Sequence, residues 1–189
     1  MHPYLIIIKM ITTEKIIEQT KKWITEVVIG CNFCPFAAKE IKQNTVHYQV
    51  ETSAEKADCL KAFLQECSRL DDEGNIATTL LILPNAFQQF DDYLDLVADA
   101  EALLKENDYE GVYQVASFHP QYIFGGAPVN DAANYTNRSI YPMLHLLREE
   151  QITEALERYP HPENIPNNNI NFAREKGVRY MKMLRDACL

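Results

Sequence analysis

The pair Cys31 and Cys34 is the first feature of the sequence that could carry chemistry. A CxxC spacing occurs in thiol redox pairs and in one half of many zinc sites. A redox pair of the thioredoxin type follows a strand, whereas a helical pattern precedes this pair. A zinc site of the ribbon type needs a second close pair of ligands, and the sequence has no other CxxC and no HxxxH. The pattern therefore favours packing of Cys34 beneath the first helix, with redox and zinc roles as alternatives.

A histidine stands at the end of a predicted strand, in Phe118-His119-Pro120. Ligands of open α/β sheets bind at the carboxyl ends of strands, and an imidazole can act as an acid, a base or a ligand near neutral pH. His119 is therefore a candidate catalytic residue, with Tyr122 close to it in sequence. The alternative is that His119 hydrogen-bonds the following loop and holds it in place.

The segment Asn137-Arg138-Ser139 is predicted to lead into a helix over residues 139–149. Ser139 is the expected N-cap of that helix, because its hydroxyl can accept a hydrogen bond from a free amide of the first turn. Helix N-termini favour anions, and an arginine beside one strengthens the effect. The segment therefore predicts a pocket for a phosphate or a carboxylate.

The same predicted helix carries His145, Arg148 and Glu149. His145 and Glu149 are four residues apart, so that both side chains would lie on one helical face, with Arg148 three residues from His145. These side chains could extend the pocket if the helix faces the loop after His119. The alternative is that Arg148 and Glu149 form a solvated surface.

Composition limits the class of protein. The chain has 189 residues, 47% of them hydrophobic, and a formal net charge of −9. This length and apolar content suffice for one domain with its own core. The acidic balance repels phosphate backbones and so disfavours nucleic acid as a partner. The longest apolar run, residues 5–8, is too short for a membrane span and lacks the flanks of a signal peptide, and we therefore expect a cytoplasmic protein.

Apolar periodicity predicts alternating helices and strands, which implies crossover connections. Strands are predicted over residues 45–51, 76–83 and 112–118. Helices are predicted from residue 13 to a stop at Gly30, from a capping box at Thr52 and Glu55 to residue 67, and over residues 87–104. The expected fold class is α/β, with a small sheet of three or four strands and crossover helices.

The C-terminal third is predicted to be mainly helical after one long loop. Residues 119–137 have little periodicity and many aromatic side chains, which is typical of a functional loop. Helices are then predicted over residues 139–149, 153–159, 168–176 and from residue 178 onward. The chain is expected to form one globular domain from residue 10 to residue 189. Met10 is a possible start of translation, which would make residues 1–9 an extension.

Three separated motifs resemble a known family. They are Cys34-Pro35-Phe36-Ala37 after the helical segment 23–29, Phe118-His119-Pro120, and Asn137-Arg138-Ser139 with Tyr141-Pro142 and residues 145–149. Together they resemble the uncharacterised family catalogued as domain of unknown function 1415, from about Met10 to the C-terminus. The resemblance implies no activity and no cofactor. It does imply a candidate site, composed of Cys34, His119, Tyr122, Asn137, Arg138, Ser139, His145, Arg148 and Glu149.

Three functional hypotheses follow. The favoured one is an intracellular enzyme or binder of a small anionic metabolite. In it Arg138 and Arg148 hold the anion, His119 or His145 moves a proton, and Cys34 is a nucleophile or the floor of the pocket. The alternatives are a thiol redox protein that uses Cys31 and Cys34, and a non-catalytic adaptor with an exposed apolar patch. A metal-dependent version with His119, His145 and Glu149 as ligands stays open, although no ligand spacing identifies a metal site. The sequence indicates neither the reaction nor the oligomeric state.

Overall fold

One four-stranded sheet organises the chain, of which the computed structural model describes residues 11–189. Its strands are β1 (Val46–Val50), β2 (Thr78–Ile82), β3 (Tyr113–Phe118) and β4 (Met143–Arg148). Their order is β1-β2-β4-β3, with β1 parallel to β2 and β4 antiparallel to both β2 and β3. The carboxyl ends of β1, β2 and β3 therefore lie at one edge of the sheet, here called the carboxyl edge.

Helices cover both faces of the sheet. The helices are α1 (Thr13–Trp23), α2 (Ala37–Gln43), α3 (Lys56–Asp72), α4 (Phe90–Glu106), α5 (Glu149–Glu157) and α6 (Ile165–Asp186). Helices α3 and α4 pack with Leu81, Leu144 and Leu146 on one face. Helices α1 and α6 pack with Leu80 and Ile82 on the other face. The predicted α/β class, small sheet and helical C-terminal third are confirmed.

The first helix begins and ends where the sequence predicts. Thr12 caps α1 by accepting a hydrogen bond from the Lys15 amide at 3.3 Å. A π-helical turn, Ile24–Ile29, extends α1 and ends at Gly30, whose amide donates to the Thr25 carbonyl. A Cβ at Gly30 would lie 2.3 Å from the carbonyl oxygen of Glu26. Only glycine therefore allows the chain to leave the helix here without displacing backbone.

The largest correction concerns residues 139–149, which do not form the predicted helix. Residues 143–148 form β4, which hydrogen-bonds to β2 on one side and to β3 on the other. A strand that is covered on both faces has apolar residues on both faces, and its sequence then has no alternation that distinguishes it from a buried helix. Ser139 is consequently not an N-cap, and its hydroxyl donates to the Tyr141 carbonyl at 2.5 Å.

Smaller corrections concern helix ends. Helix α3 begins at Lys56 with Glu55 as its N-cap residue, and Thr52 does not form the predicted capping box. The hydroxyl of Ser53 instead accepts the Glu55 amide at 3.1 Å. The break predicted at Gly177 is present as a kink inside α6, where glycine adopts a φ of 79°.

No helix among residues 11–189 is both long and apolar enough to cross a membrane. The predicted extension over residues 1–9 and the alternative start at Met10 lie outside the described residues.

The buried hydroxyl of Tyr93 joins α4 to two strands, and this arrangement gives a stability prediction. It donates to the Met143 carbonyl at 2.6 Å and accepts the Phe118 amide at 3.0 Å. We expect Tyr93→Phe to lower the free energy of unfolding by about 1–3 kcal/mol, because two backbone groups lose their partner. Urea denaturation measures the loss. The control is Tyr109→Phe, whose hydroxyl bonds Asp71 at the exposed surface and should cost less than about 1 kcal/mol. Equal losses would contradict the interpretation.

Candidate functional site

The loop between β3 and β4, residues 119–142, lies at the carboxyl edge and is here called the edge loop. His119 is fully buried at its start. Its Nε2–H donates to the Phe87 carbonyl at 2.8 Å, since a carbonyl oxygen can only accept, and its Nδ1 accepts the Gln121 amide at 3.0 Å. Burial lowers the pKa of His119, so that the ring is neutral at pH 7. His119 therefore holds the loop, which is the alternative stated for it above.

The neighbouring turn is strained where His119 binds it. Phe87 has a φ of 53°, a left-handed conformation that a bulky side chain rarely adopts. The ring of Phe90 contacts the rings of both His119 and Tyr122, with centroids 5.3 Å and 5.2 Å apart. Tyr122 in turn contacts Phe124 at 4.9 Å. A row of aromatic side chains thus fixes the first half of the edge loop on α4.

Two asparagines hold the second half of the edge loop. Asn134 is fully buried; its Oδ1 accepts the Phe124 amide, and its Nδ2 donates to the Pro128 carbonyl. Asn137 donates from Nδ2 to the Ser117 carbonyl at 3.2 Å. These side chains satisfy backbone groups that no helix or strand pairs, and the loop can therefore be buried.

Arg138 is a buried cation that keeps hydrogen-bond donors which the protein does not use. Only 9% of it is exposed, and its Nε and Nη2 donate to the carbonyls of Tyr122 and Val129 at 2.9 Å and 2.8 Å. These two atoms form one side of the guanidinium. At the Nη1/Nη2 end, Nη2 has only the Val129 carbonyl as an acceptor, whereas Nη1 has no acceptor among residues 11–189 and is reachable by solvent. That end is the fork that binds carboxylates and phosphates in a bidentate manner.

A second arginine contacts the same tyrosine ring as Arg138, and sequence reasoning missed it. The guanidinium carbons of Arg138 and Arg185 lie 4.8 Å and 5.4 Å from the centroid of the Tyr135 ring. Arg185 comes from α6 and also donates to the Pro120 carbonyl and to Asp186. No motif in the sequence relates Arg185 to Arg138, since 47 positions separate them. The excess of basic residues near the end of α6 was the available signal.

Arg148 lies at the opposite edge of the sheet from Arg138. It is the last residue of β4, about 17 Å along the strand from Met143. Its guanidinium donates to the carbonyls of Leu70 and Ile76 and to the Tyr113 hydroxyl. Arg148 therefore joins β4 to the end of α3. The predicted joint anion pocket of Arg138 and Arg148 does not form, because a strand rather than a helix separates them.

Glu149 also lies outside the predicted site, because residues 143–148 form a strand instead of the predicted helix. It begins α5, beyond the end of β4, and its amide donates to the Val112 carbonyl at 3.0 Å. The expected pairing of Glu149 with His145 on one helical face is wrong, because the two residues lie on different elements.

His145 lies in the middle of β4, away from both edges. Its Nε2 is 2.7 Å from the Thr78 hydroxyl, and that hydroxyl donates its one proton to the Leu146 carbonyl. His145 must then donate from Nε2–H, which leaves Nδ1 without a proton. Burial lowers the pKa of His145 to about 4, so that the ring is neutral at pH 7.

The two cysteines of the CxxC segment differ in environment. Cys31 is buried, whereas the Cys34 sulfur is partly buried near the amides of Phe36 and Ala37. Burial raises the pKa of both thiols above the usual value, and the two amides only partly oppose this at Cys34. Both thiols are consequently protonated at neutral pH. Among residues 11–189, no hydrogen bond joins Cys34 to any other predicted site residue, and no three His, Cys, Asp or Glu side chains converge on a metal position.

Two clefts on the surface lie apart from the predicted site residues. One, of about 420 Å³, opens at the carboxyl edge and is lined by Ala54, Lys56, Phe87, Gln88, Gln89, Asp92 and Asp95. The other, of about 470 Å³, separates α3 from α4 and is lined by Leu60, Lys61, Leu64, Gln65, Ser68 and Leu103. Neither cleft is lined by a residue of the predicted site.

Comparison with known proteins identifies one relationship. The family model described as "Protein of unknown function (DUF1415)" matches residues 15–183. No curated protein and no solved structure matches the chain.

The low pKa of His145 predicts a loss of stability in acid. The pKa of His145 is about 4 in the folded state and about 6.5 in the unfolded state. The free energy of unfolding is therefore unaffected by protonation of His145 above pH 6.5 and decreases as the pH falls toward 4, because the unfolded state binds the proton more readily. We expect His145→Gln to reduce the drop in unfolding free energy between pH 7 and pH 4.5 by about 2–3 kcal/mol. Chemical denaturation across this range measures the drop. His161→Gln, at an exposed histidine, should leave the pH dependence unchanged. The same pH dependence in His145→Gln and wild type would refute the assignment.

Proposed function

The chain belongs to the DUF1415 family, and we propose that it binds a small anionic molecule through the Nη1/Nη2 end of Arg138. The observation that carries the proposal is that the protein uses only part of this guanidinium. Nε and Nη2 are fixed by two backbone carbonyls, while Nη1, at the end that suits a carboxylate or a phosphate, has no protein acceptor among residues 11–189.

The charge of Arg138 supports an anionic rather than a neutral ligand. Burying a cation is costly unless an opposite charge compensates it. Among residues 11–189 no carboxylate lies within ion-pair distance of Arg138, whereas the other arginines of this region, Arg174 and Arg185, pair with Asp131 and Asp186. A bound carboxylate or phosphate would supply the missing counter-charge.

The surroundings of Arg138 also favour anions. Arg185 lies on the same tyrosine ring, and Lys182 is one helical turn before it. This group of cations stands on a chain whose net charge is −9, so that it forms a local positive region on an acidic protein. Anions would be drawn to this region and repelled by most of the remaining surface.

The proposal is for binding and assigns no reaction. Both ring nitrogens of His119 are engaged by backbone, His145 lies on the sheet, and Cys34 makes no hydrogen bond to Arg138. The proton transfer and the nucleophilic role predicted from the sequence have no geometric support here. We further propose a cytoplasmic location, which rests on the five unpaired cysteines.

Arg138→Lys tests the proposed site. Lysine keeps the charge but loses the fork, and so we expect the affinity for inorganic phosphate or malonate to fall by at least about tenfold. Amide chemical shifts of the edge loop, followed during titration of each anion into wild type and variant, give both affinities.

Arg148→Lys is the matched control, because it alters an arginine that also donates to backbone carbonyls but lies at the opposite edge of the sheet. It should lower stability without changing anion affinity. Circular dichroism of both variants separates loss of binding from loss of structure. Unchanged affinity in Arg138→Lys, or no response of wild-type edge-loop amides to either anion, would refute the proposal.

A further inference from the structure

The outer faces of α4 and α6 carry opposite charges. Helix α4 contains six carboxylates and one lysine, whereas residues 174–185 of α6 contain five basic side chains and one carboxylate. The two helices cover opposite faces of the sheet. The outer face of α4 is therefore acidic, and the outer face of the second half of α6 is basic.

Each charged face also exposes apolar side chains. On α4, Leu94 is 44% exposed and lies between Asp91 and Asp95. On α6, Tyr180 and Met183 are 39% and 61% exposed. We call Asp91, Leu94, Asp95, Ala98 and Glu101 the acidic stripe, and Lys176, Arg179, Tyr180, Lys182 and Met183 the basic stripe. Helical spacing places the members of the acidic stripe side by side, and likewise residues 179–183 of the basic stripe. Lys176 precedes the kink at Gly177, and its Nζ lies 6.0 Å from the centroid of the Tyr180 ring.

Several of these charges remain available. Asp99 pairs with Lys56, and Lys182 with Asp186. By contrast, Asp95 and Glu101 on the acidic stripe have no ion-pair partner among residues 11–189, and the same holds for Lys176 and Arg179 on the basic stripe. The two stripes thus carry free charges of opposite sign, and each exposes apolar side chains among those charges.

We propose that the basic stripe of one copy docks on the acidic stripe of a second copy of this chain. Because the stripes are on opposite sides of the molecule, the contact is heterologous and repeats from copy to copy. Two single-helix stripes bury less than the standard interface of about 1,600 Å², so the contact is of the weak and salt-dependent kind. This assembly does not depend on the anion site at Arg138.

Sedimentation equilibrium of the full chain tests the proposal. At high protein concentration and about 20 mM salt we expect a weight-average mass above the 21.8 kDa of one chain, falling to that mass at about 0.5 M salt, where charges are screened. The charge reversals Lys176→Glu with Arg179→Glu, and separately Asp95→Lys with Glu101→Lys, should each give monomers at low salt.

A mixture of the two double variants tests which surfaces are in contact. In each contact between one variant and the other, a negatively charged stripe lies against a positively charged stripe, as in the wild type. We expect the mixture to recover assembly. Lys39→Glu with Lys42→Glu on α2 changes the net charge equally to the first double variant, and it should still assemble. Circular dichroism confirms that each variant is folded. Monomeric wild type at low salt, assembly by either double variant alone, or a mixture that stays monomeric would overturn the proposal.

Discussion

The edge loop depends on buried side chains that pair its backbone, and this requirement explains most of the motif residues. Twenty-four residues connect β3 to β4, and of these only Ala132–Thr136 form a short 3-10 helix. Backbone amides and carbonyls buried in such a segment need partners that regular structure does not supply. His119, Asn134 and Arg138 supply them, each with two or more bonds to backbone. Chemically versatile residues therefore occur in this loop for a structural reason before any functional one.

The sequence predicted those elements whose pattern has one structural explanation. The stripe of α1, the stop at Gly30 and the strands β1 to β3 all lie close to their expected positions. The helix predicted in place of β4 was wrong, because apolar and polar residues do not alternate over residues 143–146. Only the hydrogen bonds to two neighbouring strands decide between strand and helix here. Such pairing is a non-local property that periodicity does not contain.

For the candidate site, too, the local sequence predicts some features, whereas others depend on tertiary contacts. The sequence places His119 directly after a predicted strand, and His119 does lie at the carboxyl edge. It gave equal weight to Arg138 and Arg148, because nothing local distinguishes them. The difference is tertiary: Arg148 meets the Leu70 and Ile76 carbonyls and the Tyr113 hydroxyl, whereas Arg138 meets only two carbonyls on one side of its fork. Arg185 was missed because its approach to Tyr135 depends on where α6 packs.

The structural role of Arg138 is compatible with its proposed role in anion binding, and the structural contacts would favour that binding. A free arginine loses rotamer freedom when it binds an anion, and this loss offsets part of the interaction. The carbonyls of Tyr122 and Val129 already fix this guanidinium, and contact with the Tyr135 ring restrains its plane. An anion at the free end would therefore meet a donor pair whose orientation is set by folding. The rigidity of the edge loop, which His119 and Asn134 maintain, would then contribute to the proposed binding site.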